Sequence, residues 1–298
     1  MQRLASSNSR SWQDASRSSN PPEVDLLPRH FVICSSWYDR PPVSKIVPQR
    51  YFYGSDRSQF ADLYLPLTRR RPGVIVLLHG GWWGPHFGLD HLQTVAVDLC
   101  LRGWVVWNVE YRRLDLGGGY PATLNDVAAA IDYLATLSEV DTDYVVAVGH
   151  SAGGHLATWA AGRRTLESGA PGAGPEVDGV GVISLAGVVD LGTAARQLRG
   201  DGAVIQLMGC GPDDQPQWYK IADPLAQVPI PSIVRCVHAR NDDRVPFEQS
   251  VNYVTTARAA GQDAELLEVE GDHFSVADPS SKSWPTVVAA IEELTKSK

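Results

Sequence analysis

The sequence predicts an α/β protein built on a doubly wound, mostly parallel sheet with helices on both faces. Three observations carry that prediction. Continuous apolar, β-branched runs such as Val74 to Leu78 and Val145 to Val148 have the length and texture of strands buried on both faces. Between such runs lie stretches of helical period, as in Leu124, Val127, Ala128, Ile131 and Leu134. Strand and helix then alternate through most of the chain after residue 50, the order that parallel strands with crossover helices require.

Taken in order, residues 1–45 are rich in Ser, Arg and Pro and lack apolar periodicity, so a flexible or loosely docked arm is expected. Arg3, Arg10 and Arg17 among many serines give a faint organelle-targeting composition, which Asp14 and the missing apolar stripe oppose. Residues 46–298 are expected to form one domain. It opens with a hairpin, Arg50 to Tyr53 and Phe60 to Leu65, joined through Gly54-Ser55-Asp56. The buried strand Val74 to Leu78 follows a basic turn. Leu89 to Arg102 reads as a helix stopped by Gly103, Trp104 to Val109 as a strand, and Pro121 to Leu137 as a helix. Gly179 to Leu185, Ile233 to His238 and Ala264 to Val269 supply three more strands, with a helix from about Phe247 to Ala260 and another ending near Lys296. Residues 189–225 fit the alternation poorly. They read either as a lid or cap insertion over the site or as a surface excursion packed by its own aromatics.

Composition narrows the function classes. The 298-residue chain carries a formal net charge of −8, which argues against nucleic acid or an anionic membrane surface as partner. No apolar run approaches a membrane span and no secretory apolar segment is visible, so a cytoplasmic protein is the expectation. Cys34, Cys100, Cys210 and Cys236 are far apart and form neither a disulfide framework nor a zinc pattern. His86 and His91 lie close together, but no H-E-x-x-H or carboxylate-histidine cluster accompanies them, so no metal and no cofactor is expected.

The chemistry is concentrated in one stretch, Val145 to Ala157, which reads as a strand, a tight turn with Ser151 at its tip, and a helix. Gly149-His150-Ser151-Ala152-Gly153 is the G-x-S-x-G elbow, whose glycines allow backbone segments to approach while the serine hydroxyl is exposed. The helix that follows directs its N-terminal amides at the reaction centre. Upstream, Leu78-His79-Gly80-Gly81-Trp82-Trp83 leaves a strand end and supplies further amides. The oxyanion donors expected are the N–H groups of Gly81, Trp82 and Ala152, each able to contribute about 3 kcal/mol in a transition state. His79 is expected to hold that loop by hydrogen bonding, and Glu110, Arg112 and Arg113 to form ion pairs. Downstream, Asp242-Asp243 and then His273 follow two successive strands. The chain order Ser, Asp, His is thus complete, although composition does not separate Asp242 from Asp243. Trp83, Trp218 and Tyr219 are expected in the substrate pocket beside Trp82, with at least one of the adjacent tryptophans packing into the core.

With these residues assembled, the chain resembles the α/β-hydrolase superfamily from about residue 50 onward. His79-Gly80-Gly81-Trp82-Trp83 is similar to the H-G-G-x-W motif of kynurenine formamidases and related carboxylesterases, and departs from the H-G-G-G of hormone-sensitive-lipase-like esterases at Trp82. His238 to Pro246 resembles the H-G-x-x-D-x-x-V-P motif of dienelactone-hydrolase-like and prolyl-oligopeptidase-like members, with Ala239 in place of the glycine. That register implies Asp242 as the acid. The resemblance implies the α/β-hydrolase fold and a serine hydrolase acting on small carboxylic esters or activated aryl amides of the N-formyl anilide type. The alternatives are a non-catalytic hydrolase-fold receptor or scaffold, and a peptidase of the prolyl-oligopeptidase type, which the lack of a preceding propeller-sized segment disfavours. Oligomeric state is not set by the sequence.

Overall fold

The computed structural model describes residues 46–69, 71–197 and 199–296. The expected arm, residues 1–45, and Cys34 lie outside the described residues. Ser44–Lys298 forms one compact unit.

Eight strands make a single sheet: β1 (Gln49–Phe52), β2 (Phe60–Tyr64), β3 (Val74–Leu78), β4 (Val105–Val109), β5 (Val145–His150), β6 (Gly181–Leu185), β7 (Val234–Ala239) and β8 (Ala264–Val269). Their spatial order is β1-β2-β4-β3-β5-β6-β7-β8. β1, β2 and β4 pair antiparallel, and every other pairing is parallel. β3 and β5 lie side by side at the centre with Leu78 opposite Gly149, so the two loops expected to carry the chemistry leave neighbouring strand ends. Every residue of β3 and β5 is buried, in keeping with their interior places in the sheet, which cover both faces.

Strand parity divides the core. Val74, Val76 and Leu78 face a layer built from α2 (Ala122–Asp132), α3 (Ala152–Ala161) and α7 (Glu248–Ala259). Ile75 and Leu77 face the opposite layer, with Val95 and Leu99 of α1 (Gln93–Leu101) and Val287 and Ile291 of α8 (Trp284–Leu294). This is the doubly wound α/β-hydrolase architecture that the alternation of runs predicts. Two expected helices are shorter than their apolar periods. Leu89–Leu92 is a 3-10 turn ahead of α1, and α2 gives way to a 3-10 turn at Tyr133–Thr136.

Residues 189–225 contain α4 (Leu191–Arg196), α5 (Arg199–Met208) and α6 (Pro216–Ala222), with a 3-10 turn at Pro224–Gln227. The insertion packs on neighbouring parts of the fold. Trp218 packs on Tyr120 at 5.2 Å, while Trp159 Nε1 and His155 Nε2 of α3 donate to the Ile221 and Ala222 carbonyls. α5 reaches the site: a Cβ built on Gly200 would fall 2.5 Å from the Trp82 ring.

Candidate active site

Ser151 joins β5 to α3 with φ 58° and ψ −118°, a left-handed conformation that costs a non-glycine residue about 1–2 kcal/mol. The turn is held from both sides: Ser151 N–H donates to the Leu185 carbonyl, and the Ser151 carbonyl accepts from Gly154 and Val188. Its glycines are obligatory for packing. A Cβ on Gly149 would lie 2.0 Å from the Gly153 carbonyl oxygen, and one on Gly153 would lie 1.9 Å from that of Leu78.

Asp242 and His273 meet at the neighbouring strand ends. His273 Nδ1–H donates to Asp242 Oδ2 at 2.7 Å, and His238 Nε2–H donates to the same oxygen at 3.2 Å. Oδ1 accepts the backbone N–H groups of Arg244 and Val245 at 2.8 Å each. Burial alone would raise this carboxyl, but the hydrogen bonds from His238 and His273, the charge of His273 and the Val245 amide hold it well below the usual carboxylate range. Asp243 points away, with its side chain 73% exposed and 3.6 Å from Arg244 Nε. With Nδ1 committed to Asp242, His273 keeps Nε2 free as a base, and it lines the same cavity as Ser151. Among the described residues no hydrogen bond yet joins the two. Catalytic contacts of this kind are often loose before substrate binds.

The oxyanion loop is locked from beneath. His79 is fully buried, its Nδ1–H donates to the Gly80 carbonyl at 2.9 Å, and its ring stacks on Tyr111 at 4.3 Å. Its Nε2 lies 3.2 Å from Glu110 Oε1; Glu110 also accepts the Leu89 N–H and pairs in charge with Arg113, whose Nε stands 3.2 Å away without a hydrogen bond. Burial would raise Glu110, yet His79, Leu89 and Arg113 together keep it below its ordinary value. Arg112 pairs with Asp126 rather than reaching the cavity. No backbone hydrogen bond from the N–H groups of Gly81, Trp82 and Ala152 is formed among the described residues, and Gly81 and Trp82 line the same cavity as Ser151.

The cavity at Ser151 has a volume of about 190 Å³ and is lined by Gly81, Trp82, Phe87, His91, His150, His273, Phe274 and Arg244. Three expected pocket residues are not among them. Trp83 is 0% exposed and packs edge-on against His155 at 5.2 Å, so it is the tryptophan of the pair that enters the core. Trp218 lies on Tyr120, and Tyr219 is buried with its hydroxyl on the Cys210 carbonyl. Both serve the packing of the insertion.

Four lining residues escaped the sequence reading as pocket residues: Phe87, His91, Phe274 and Arg244. His150, the variable residue of the elbow, is the fifth and has a structural task. Its Nε2–H donates to the His273 carbonyl at 2.8 Å, and its Nδ1 accepts from His91 Nε2–H at 3.1 Å, which fixes the backbone that carries the base. Burial, then the charges of His273 and His91, push His150 down to about 3, so it stays a neutral relay. His91 is lowered as well, first by burial and then by His79. The signals for Phe274 and His150 were their positions beside His273 and Ser151.

No group of three or more His, Cys, Asp or Glu among the described residues could hold a metal ion. No helix among them is long and apolar enough to cross a membrane.

Known structures share this scaffold. A truncated carbohydrate esterase from gut microbiota superposes with a TM-score of 0.72 at 22% identity, covering 87% of this chain and 100% of that one. A thermophilic esterase, Est2, from the Planctomycetes species Thermogutta terrifontis gives 0.65 at 21% identity over 85% and 92%. Esterase B from Lactobacillus rhamnosis gives 0.69 at 19% over 84% and 87%. No curated protein matches the chain in sequence. The model of the BD-FAE family matches residues 61–256, and the chain therefore belongs to the BD-FAE family, in the α/β-hydrolase fold.

Proposed function

We propose that this protein is a serine ester hydrolase that cleaves small acyl groups from aromatic leaving groups through an acyl-enzyme. The observation that carries the reading is the Asp242–His273 pair at 2.7 Å beside a strained, amide-flanked serine in one cavity. His273 Nε2 takes the Ser151 proton as Oγ attacks the acyl carbon. The oxyanion that forms is held by the Gly81, Trp82 and Ala152 amides. Collapse breaks the acyl–oxygen bond, and His273 returns the proton to the departing oxygen. Water then attacks the acyl-enzyme by the same route in reverse, with His273 again the base.

Cavity size and lining support the substrate class. An apolar cavity of roughly 150 Å³ accommodates one benzene, so about 190 Å³ fits one ring with a small acyl group. Trp82, Phe87 and Phe274 offer ring faces and edges to such a leaving group. A formyl group is the smallest acyl group, and activated aryl amides of the N-formyl anilide type form the second substrate class of this reading. Est2, described as phosphoramylated by tabun, supports organophosphorus labelling as a probe. A cytoplasmic location belongs to the same reading, in keeping with the free thiols Cys100, Cys210 and Cys236.

The test is turnover of aryl esters of graded acyl length beside N-formylkynurenine, with fluorophosphonate labelling of Ser151. Labelling together with faster cleavage of formyl or acetyl than of long acyl groups is expected. A protein that binds these esters but is neither labelled nor turns them over would be a hydrolase-fold receptor.

A further inference from the structure

The cavity at Ser151 contains one permanent charge. Its other lining residues are glycine, serine, aromatics and histidines, and burial disfavours the charged forms of His91 and His150. The exception is Arg244, two residues beyond Asp242 in the loop after β7. The backbone and the side chain of Arg244 do different things. Its amide holds Asp242 Oδ1 at 2.8 Å, whereas its side chain is 59% exposed and makes, among the described residues, one charge contact, from Nε to Asp243 Oδ1 at 3.6 Å. Both partners of that contact are solvated, so water screens it and it holds the guanidinium weakly. The remaining guanidinium N–H groups are available to a planar anion, and an arginine fork matches a carboxylate with two parallel hydrogen bonds.

The side of the scissile bond follows from the proton path. His273 must deliver a proton to the departing oxygen, so the leaving group lies against His273, while the carbonyl oxygen lies against the amides of Gly81, Trp82 and Ala152. Phe274, its ring 5.2 Å from that of His273, and Arg244, on the loop of Asp242, stand on the His273 side. We propose that Arg244 forms an anion subsite for the leaving group, so that the preferred substrates are aryl esters whose aromatic leaving group carries a carboxylate. This rests on the ester-hydrolase reading above.

The test compares meta-carboxyphenyl acetate with its neutral isostere meta-carbamoylphenyl acetate, each kcat/KM divided by the hydroxide-catalysed rate of the same ester. Phenyl hydrogen succinate, referred in the same way to phenyl butyrate, moves the carboxylate to the acyl side. The wild-type ratio of anionic to neutral leaving group is expected near fivefold, the size of a partly solvated ion pair, and falls towards one at ~1 M salt, where the screening length shrinks to ~3 Å. Arg244→Gln brings the ratio to about one, Arg244→Lys keeps part of it, and Asp243→Asn, which frees the guanidinium, raises it. The ratio is read within each variant, so a general loss of rate does not imitate the effect. Equal normalised rates for the two acetates, or a ratio unmoved in Arg244→Gln, overturn the subsite and leave the hydrolase reading standing. A preference confined to the succinate overturns the leaving-group assignment. Failure of wild-type protein to cleave any of the esters overturns the hydrolase reading, and the subsite with it.

Discussion

Asp242→Asn isolates the element on which the proposed chemistry depends, because the substitution changes a charge and a tautomer while leaving the shape intact. The retained oxygen has a fixed position: Oδ1 accepts two backbone amides at 2.8 Å, and turning the amide group would set an NH₂ against both donors, at a cost of about 1 kcal/mol or more for each lost bond. The new NH₂ therefore takes the place of Oδ2, 2.7 Å from His273 Nδ1. His273 must then accept at Nδ1 and carry its proton on Nε2, where it can no longer receive the proton of Ser151. Loss of the correct tautomer costs on the order of 10⁴ in turnover, or about 5.5 kcal/mol at 1.36 kcal/mol per decade. The fold should tolerate the change, since His238 keeps the Val245 carbonyl at 3.1 Å and Ser250 at 2.8 Å. The companion variant Asp243→Asn removes an exposed carboxylate and is expected to stay within about twofold on a neutral ester. The assay is kcat on phenyl acetate, with thermal unfolding to verify that each variant is folded. A large loss at Asp243, or more than about a tenth of wild-type kcat surviving in Asp242→Asn, would refute the reasoning.

Ser151→Ala is expected to abolish fluorophosphonate labelling and to lower turnover by several orders of magnitude, leaving only what the oxyanion amides provide; near-normal turnover in that variant would remove Ser151 from the chemistry. Two buried histidines should cost stability on acidification below ~6.5, against an opposite contribution from Asp223, whose burial raises it to about 6. His150 and His155 are buried with values near 3 and about 4, burial being the first cause for both, so the unfolded chain binds their protons below ~6.5 while the native state does not. Each therefore contributes stability that is full above ~6.5 and declines by about 1.4 kcal/mol per pH unit down to its folded value, and the pH slope of the unfolding free energy near pH 5.5 should lose one proton in His155→Gln. An unchanged slope would show that His155 titrates alike in both states. Gly153→Ala should fail to fold natively, because its Cβ would sit 1.9 Å from the Leu78 carbonyl oxygen; a soluble variant with wild-type melting would contradict the packing described.

Period and punctuation made the fold legible. The apolar runs at Val74 to Leu78 and Val145 to Val148 are buried on every residue, and only a central position in a parallel sheet produces such runs. The chemical loops were legible for a related reason: Gly80, Gly149 and Gly153 mark places where backbones touch, and such contacts leave their trace in residue type. What sequence did not carry is side-chain direction. Trp82 and Trp83 are neighbours with nearly equal φ of 54° and 56°, yet one lines the cavity and the other fills the core. Trp218 and Tyr219 lie in an insertion whose sequence suits a cover or a surface excursion equally, and residue type does not tell a pocket wall from internal packing. Among the described residues, the backbone of the insertion at Gly200 lies against Trp82, and a glycine has no side chain to advertise such a contact. His91 joins the site across fifty-nine positions of chain, and no local pattern encodes that contact.

Two successive left-handed tryptophans in the oxyanion loop require an explanation, since together they cost about 2–4 kcal/mol. Trp83 supplies most of it. A buried tryptophan removes 150–250 Å² from water, worth about 4–6 kcal/mol at 25 cal/mol per Å²; its indole Nε1–H, buried with no hydrogen-bond partner among the described residues, takes back about 1–3 kcal/mol, which leaves a net gain comparable to the strain of the two residues. Its carbonyl accepts Leu114 N–H at 2.8 Å, which ties the far end of the loop to the segment beyond β4. The near end is fixed by contact with the nucleophile: a Cβ on Gly80 would lie 2.8 Å from the His150 carbonyl oxygen and 2.9 Å from Ser151 Cβ. Between these anchors Gly81 and Trp82 have little freedom, and no backbone hydrogen bond among the described residues occupies their amides, as the proposed oxyanion role requires. On the proposed mechanism the buried tryptophan next to the site thus acts on the chemistry without lining the cavity, by helping to hold a strained loop conformation.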